Sequence, residues 1–134
     1  MSGPTLAQRR AAHALKRVRA REGDGIEKYG NYVSYAESFP SQILMNGLGQ
    51  ACASLLSKAK GKLEEPHGML YDDLRSWLCG EDPAVPFKGR GDLMEALVKS
   101  EQKTYLHAQI ETLAFLVWLK KFANAYLERG KDQE

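Results

Sequence analysis

The stretch TYLHAQIETLAFLVWL, Thr104–Leu119, followed at once by Lys120 and Lys121, decides the fold of this chain. Its sixteen residues carry one formal charge, that of Glu111. At about 100° per residue, Tyr105, Ala108, Thr112, Phe115, Leu116, Leu119, Phe122, Ala123 and Tyr126 fall on one broad apolar stripe of a helix. Ile110, Ala114, Val117 and Trp118 fall largely on the opposite side. A helix that is apolar nearly all round has to be covered nearly all round, by a surrounding bundle, by a partner protein, or by both. The run is shorter than the ~20 residues needed to span a bilayer, and His107, Gln109 and Glu111 interrupt it.

Working outward, the preceding sequence reads as further helices with no convincing strand. Residues 5–21 are amphipathic, with Ala7, Ala11, Ala14, Leu15 and Val18 on one face and Arg9, Arg10, His13, Lys16, Arg17 and Arg21 on the other. The turn Glu22–Gly25 ends this helix, because each interior glycine costs about 1 kcal/mol. A tyrosine-rich helix over Ile26–Ser38 is expected to stop at Pro40, which opens a third helix over 40–59. The buried side of that third helix is read as Leu44, Leu48, Ala51, Cys52, Leu55, Leu56 and Ala59. Gly47 and Gly49 inside it point to close approach of another backbone. Gly61–Pro66 is a linker and His67–Leu78 a fourth helix. Glu81–Gly91 is irregular, and Asp92 with Glu95 forms an N-cap of capping-box type for a fifth helix. The expectation is an all-α, compact bundle of five or six helices with a long C-terminal helix. It forms a single domain over residues 1–134, with a tail over 128–134 that frays.

At 134 residues, 43% apolar and 27% charged, the chain has the composition of one folded domain. Cys52 and Cys79 are too few for a disulfide framework, and Cys52 falls on an apolar face as a small core residue. The N-terminus lacks an apolar signal core, so the expected location is cytoplasmic. Net charge is +2, yet residues 1–22 hold six Arg or Lys against Glu22, leaving −3 for the rest. Positive charge gathered at one end points to an anionic partner, with nucleic acid first in line.

Catalytic chemistry finds little support. His13, His67 and His107 have no nucleophile or metal-ligand partner at usable spacing, and Asp72–Asp73 points in two directions on a helix. Gly47–Gly49 is no phosphate loop, since no strand precedes it. No active site, metal site, cofactor or small-molecule substrate is expected. Phosphate contact has a better physical case: Arg9, Lys16 and Arg17 lie about two turns apart and can follow a nucleic-acid backbone. Lys58, Lys60, Lys62, Lys120 and Lys121 add positive sites that also complement helix C-termini.

Two segments carry a family resemblance. One comprises Tyr35, Pro40 and Ile43, then Asn46-Gly47-Leu48-Gly49-Gln50 with Leu55-Leu56-Ser57-Lys58-Ala59. The other comprises Tyr105, Thr112-Leu113-Ala114 and Trp118-Leu119-Lys120-Lys121-Phe122-Ala123. Over about Leu6 to Leu127 the chain resembles the small subunit of the type III-B CRISPR RNA-targeting (Cmr) complex, with the middle, Gly61–Gly91, similar mainly in helical character. Leu106 stands where that family tends to carry a basic residue. The resemblance implies a non-catalytic helical bundle. Its copies stack beside the backbone subunits that hold the guide RNA, and target cleavage belongs to a backbone subunit. Guide pairing reads the sequence, so such a subunit needs only backbone-directed positive charge and surfaces for neighbours. The expected partners are other Cmr subunits, further copies of itself, and guide and target RNA, with no membrane.

On this reading the candidate RNA phosphate contacts are Arg9, Arg10, Lys16, Arg17 and Arg21, with Lys120 and Lys121, and the candidate partner contacts are Val117 and Trp118. Two rival readings differ in class. One is a stand-alone helical DNA-binding regulator in which Asn46 or Gln50 meets base edges. The other is a protein adaptor whose basic helix is merely solvated.

Overall fold

Thr5 opens the first helix with a reciprocal cap. Its hydroxyl accepts from the Gln8 backbone N–H (3.1 Å) and the Gln8 side chain accepts from the Thr5 N–H (2.7 Å), a device the T-x-x-Q spacing encodes. In the structure, a computed structural model that describes residues 3–127, six α-helices follow in order. They are α1 (Leu6–Arg21), α2 (Ile26–Asn46), α3 (Leu48–Ala59), α4 (Pro66–Leu78), α5 (Leu93–Lys99) and α6 (Gln102–Tyr126), with a 3-10 turn at Glu22–Asp24. The described residues hold no strand, so the fold is all-α. The expected fraying over 128–134 lies outside the described residues. Among the described residues no helix is long and apolar enough to cross a membrane.

The structure corrects one helix boundary. Pro40 lies inside α2, and the chain breaks instead at Gly47. A proline in a helix interior loses a hydrogen bond to residue i−4 and crowds its carbonyl, a cost of about 3 kcal/mol. Here Ala36, Phe39 and Ile43 are fully buried on the stripe that passes Pro40. Burying Phe39 and Ile43 contributes about 1.5–3 kcal/mol each, which offsets that cost. Gly47 takes φ +85° and ψ 157°, a backbone conformation open to glycine and strained for other residues. The expected third helix is therefore split: Leu44 and Met45, on the last turn of α2, are 72% and 81% exposed, and Leu44 does not join the core.

What approaches the second glycine is a side chain, not a backbone. The Gly49 N–H donates to the Tyr105 hydroxyl (2.7 Å) and the Leu48 N–H to the Gln109 side-chain oxygen (2.9 Å). A Cβ at Gly49 would stand 3.1 Å from the Tyr105 hydroxyl. The first turn of α3 has no capping side chain of its own. Tyr105 and Gln109, one turn apart on α6, cap it from across the molecule and satisfy donors that would otherwise be orphaned.

Ion pairs and ring contacts fix the directions of the helices. Arg10 meets Glu111 and Arg19 lies over the Tyr126 ring, so α1 runs parallel to α6. Arg9 meets Asp82, His13 meets Ser76 and Arg21 meets Met69, so α1 runs antiparallel to α4. Glu37 accepts from Asn124 while Leu48, just past the end of α2, reaches Gln109, so α2 runs antiparallel to α6. Phe39, Ile43, Leu48, Leu70, Leu74, Leu78, Phe115, Leu116 and Leu119 fill the space between these helices and are essentially inaccessible. The irregular segment after α4 folds back on it, with the Phe87 N–H donating to the Leu78 carbonyl (3.1 Å) and Val85 and Phe87 buried beneath. At α5 only half of the expected box forms: Asp92 accepts from the Glu95 N–H (2.9 Å).

Candidate nucleic-acid interface

Arg9, His13, Arg17 and Arg21 recur every four residues and form one stripe along α1. That stripe faces the polar side of α4 and the segment after it. Arg9 donates to Asp82 (2.7 and 3.3 Å) and to the Pro4 carbonyl (2.9 Å). Arg17 bridges Asp73 (2.7 Å) and Asp72 (2.9 Å). Arg21 reaches Asp73 (2.6 Å) and the Met69 carbonyl (3.2 Å). Arg10, on the neighbouring side of α1, forms a forked pair with Glu111 of α6 (2.7 and 2.8 Å), and the Trp77 indole N–H donates to the same carboxylate (2.8 Å).

These carboxylates lie deep. Asp73 is fully buried and Glu111 is 3% exposed. The Tyr32 hydroxyl also donates to Asp73, and burial followed by that carboxylate pushes the Tyr32 pKa well up. The hydrogen bond from Arg9 holds Asp82 below the usual carboxylate range. Buried charges left without partners are costly, on the order of 3–5 kcal/mol when one member of a pair is removed. Among the described residues no buried side-chain polar atom lacks a partner. Asp72 and Asp73, weighed as metal ligands, are occupied by Arg17, Arg21, Arg75 and Tyr32.

The basic face read from the sequence is thus largely turned inward. The guanidinium groups of Arg10, Arg17 and Arg21 satisfy internal carboxylates, and Arg9 pairs with Asp82 while a third of its side chain stays exposed. The positive excess of residues 1–22 and the negative remainder meet each other within one molecule. Lys16 remains exposed without an ion pair among the described residues. It lines an open groove with Arg9, His13 and Trp77. His13 stands 2.8 Å from the Ser76 hydroxyl, which itself donates to the Asp73 carbonyl, so His13 Nε2 carries the proton. Burial, then Arg17, lowers the His13 pKa.

On α6, Lys121 is exposed and Lys120 half-buried, one turn before Asn124 on the side that faces α2. Neither lysine forms an ion pair among the described residues. Lys58, Lys60 and Lys62 are likewise exposed. Trp118 is half-buried, packs on the core and tilts against Phe122 at 5.9 Å, whereas Val117 is 45% exposed. Leu106, Ile110 and Val117 make an exposed apolar seam along α6, with Leu113 and Ala114 half-covered between them. The apolar excess of Thr104–Leu119 is therefore only partly covered by the bundle. Asn46 and Gln50, the base-reading candidates of the DNA reading, stand on two different helices across the Gly47 break.

Sequence reasoning missed the carboxylates that receive the arginines. One signal was present, since a single glutamate in the apolar run that starts α6 demands a cation. Nothing local marked Asp73 or Asp82.

Comparison with known proteins adds two findings. The family model described as CRISPR-associated protein (Cas_Cmr5) matches residues 6–126. The CRISPR system Cmr subunit Cmr5 of Thermus thermophilus is 33% identical over 125 residues, covering 92% of this chain and 97% of the relative.

Proposed function

The chain belongs to the CRISPR-associated Cmr5 family, and from that premise we propose that it serves as the non-catalytic small subunit of an RNA-guided Cmr effector complex. Full-length similarity to a Cmr subunit carries this reading, and two physical features support it. The exposed apolar seam Leu106–Ile110–Val117 is a surface for a neighbouring subunit or a further copy, with Val117 at its accessible edge and Trp118 supporting it from the core side. Lys16, Lys120 and Lys121, cations without ion pairs among the described residues, are the phosphate contacts to guide and target RNA, with the exposed edge of Arg9 beside Lys16. Arg10, Arg17 and Arg21 hold α1 to the bundle instead. Contacts of this kind position RNA without reading it, in keeping with a machine whose specificity comes from base pairing.

The test is affinity capture of the tagged chain from its host, with identification of co-purifying proteins and RNA. Recovery of Cmr subunits together with guide RNAs is the expected result, and recovery of neither refutes the proposal. In the captured complex, replacing Lys16, Lys120 and Lys121 by alanine should reduce the slope of log affinity against log salt for target RNA by about 2, at ~0.7 per phosphate contact. The internal pairing of the α1 arginines favours one second reading, an adaptor that never touches RNA. An unchanged salt slope in an intact complex would select it.

A further inference from the structure

A second groove lies on the far side of α2 from α6, where α2, α3 and the start of α4 meet. Its floor is apolar, formed by the buried Phe39 and Leu55. Tyr35 and His67 both line one wall, and their rings stack on each other with centroids 3.9 Å apart and an angle of 17°. Each ring thus gives one face to the other, and a flat ligand extends the stack on an outer face. Gln42 and Lys58 stand at the rim. The volume, about 190 Å³, falls below the ~300–1,000 Å³ of pockets for drug-sized ligands. It suits a single flat ring.

The wall is held in place before any ligand arrives. Glu65 accepts from the His67 backbone N–H (2.5 Å) and from its ring Nδ1 (2.9 and 3.1 Å), so one carboxylate both caps α4 and fixes the imidazole plane. Burial acts to raise the Glu65 pKa, but these bonds outweigh it and hold the carboxylate ionised. Lys58 has no ion pair among the described residues, and its ammonium is available to an anion. The ingredients are an apolar floor, a rigid aromatic wall, an amide that can both donate and accept, and an exposed ammonium at the mouth. Together they match a nucleobase carrying a phosphate.

Resting for the choice of RNA on the Cmr reading above, we propose that the Tyr35–His67 groove binds one unpaired nucleobase of single-stranded RNA, the base extending the Tyr35–His67 stack and its phosphate meeting Lys58. An aromatic amino-acid side chain would use the floor and wall but leave Lys58 without an anion, so the nucleotide is the better fit. The site is separate from Lys16, Lys120 and Lys121. It would provide sequence-tolerant affinity, because every base has a face to stack.

The experiment uses the full chain alone, with backbone amide chemical shifts followed during titration. The probes are a hexauridylate and the same hexamer with every base removed. The hexauridylate should shift amides around residues 35, 42, 58 and 67, and bind about tenfold more tightly than its abasic counterpart. Ser54→Phe, which fills the groove from an exposed position on α3, should abolish that difference without lowering the melting temperature. His67→Ala should reduce it similarly. Equal affinity for the base-bearing and abasic hexamers, or shifts confined to other surfaces, would overturn the proposal. Because the Lys16, Lys120 and Lys121 variant should leave these shifts intact, failure of this site and failure of the phosphate assignment above are told apart.

Discussion

Asp73→Asn is the sharpest test of how α1 is held. The carboxylate is fully buried and accepts from Arg17, Arg21 and Tyr32. Asparagine keeps the shape but replaces one acceptor oxygen by a donor NH2, which then faces guanidinium or hydroxyl donors. Removing one member of a buried pair costs about 3–5 kcal/mol. Arg17 retains Asp72 and Arg21 retains the Met69 carbonyl, so the lower end, about 3 kcal/mol, is expected. With an m-value of about 1.5 kcal/mol/M in urea, the midpoint should fall by about 2 M. The melting temperature should drop by about 10 °C, at roughly 3–4 °C per kcal/mol for a chain of this size. Urea titration followed by helical circular dichroism reads both quantities. A double-mutant cycle with Arg17→Met should show a coupling above about 1 kcal/mol. A loss below about 0.5 kcal/mol for Asp73→Asn, or additive behaviour in the cycle, would refute the claim that Arg17 and Arg21 are spent on this internal carboxylate.

Three further outcomes follow from the geometry. Tyr105→Phe removes the acceptor for the Gly49 N–H and should cost about 1 kcal/mol, while Gly47→Ala, forced to φ +85°, should cost about 1–2 kcal/mol; wild-type urea midpoints in both would show that the α2–α3 break is not built this way. His13, with its pKa lowered by burial and then by Arg17 and Lys16 against the opposing pull of Asp73, is a source of acid sensitivity. Its depressed folded value means that its contribution is complete above the unfolded pKa of about 6.5 and declines as pH falls below it, so midpoints should drop from pH 7 to pH 5 and less steeply in His13→Gln; equal slopes would remove the assignment. Ile110→Asp with Val117→Asp changes exposed positions only. The double variant should keep its melting temperature within a few degrees yet fail to co-purify with Cmr subunits, and intact co-purification would move the partner surface elsewhere.

The resemblance and the tertiary structure meet at one contact. The segments around Gly47–Gly49 and Tyr105 are separated by more than fifty residues, yet the Tyr105 hydroxyl accepts from the Gly49 N–H. Tyr105 and the glycines are therefore parts of one device, a helix start capped from another helix. Neither segment announces this alone, because a tyrosine at a stripe edge reads as ordinary core and a glycine pair reads as close packing.

Local order on this chain sufficed for the helical class, the long apolar C-terminal helix and the basic first helix, because 3.6-residue periodicity is a local property and survives without knowledge of neighbours. It failed at Pro40 and Gly47, where the burial of Phe39 and Ile43 overrides the intrinsic cost of an interior proline. The arginines of α1 are a second case: their positive excess read as an offer to an external anion, and Arg10, Arg17 and Arg21 meet carboxylates of the same chain. Arg10 is 101 residues from Glu111 and Arg21 is 52 from Asp73, distances over which no spacing rule operates. Side-chain charge belongs to the sequence, but whether that charge meets solvent, RNA or a buried carboxylate depends on which helix packs against it. Only the assembled bundle decides that, through the desolvation cost that compels buried carboxylates to find partners.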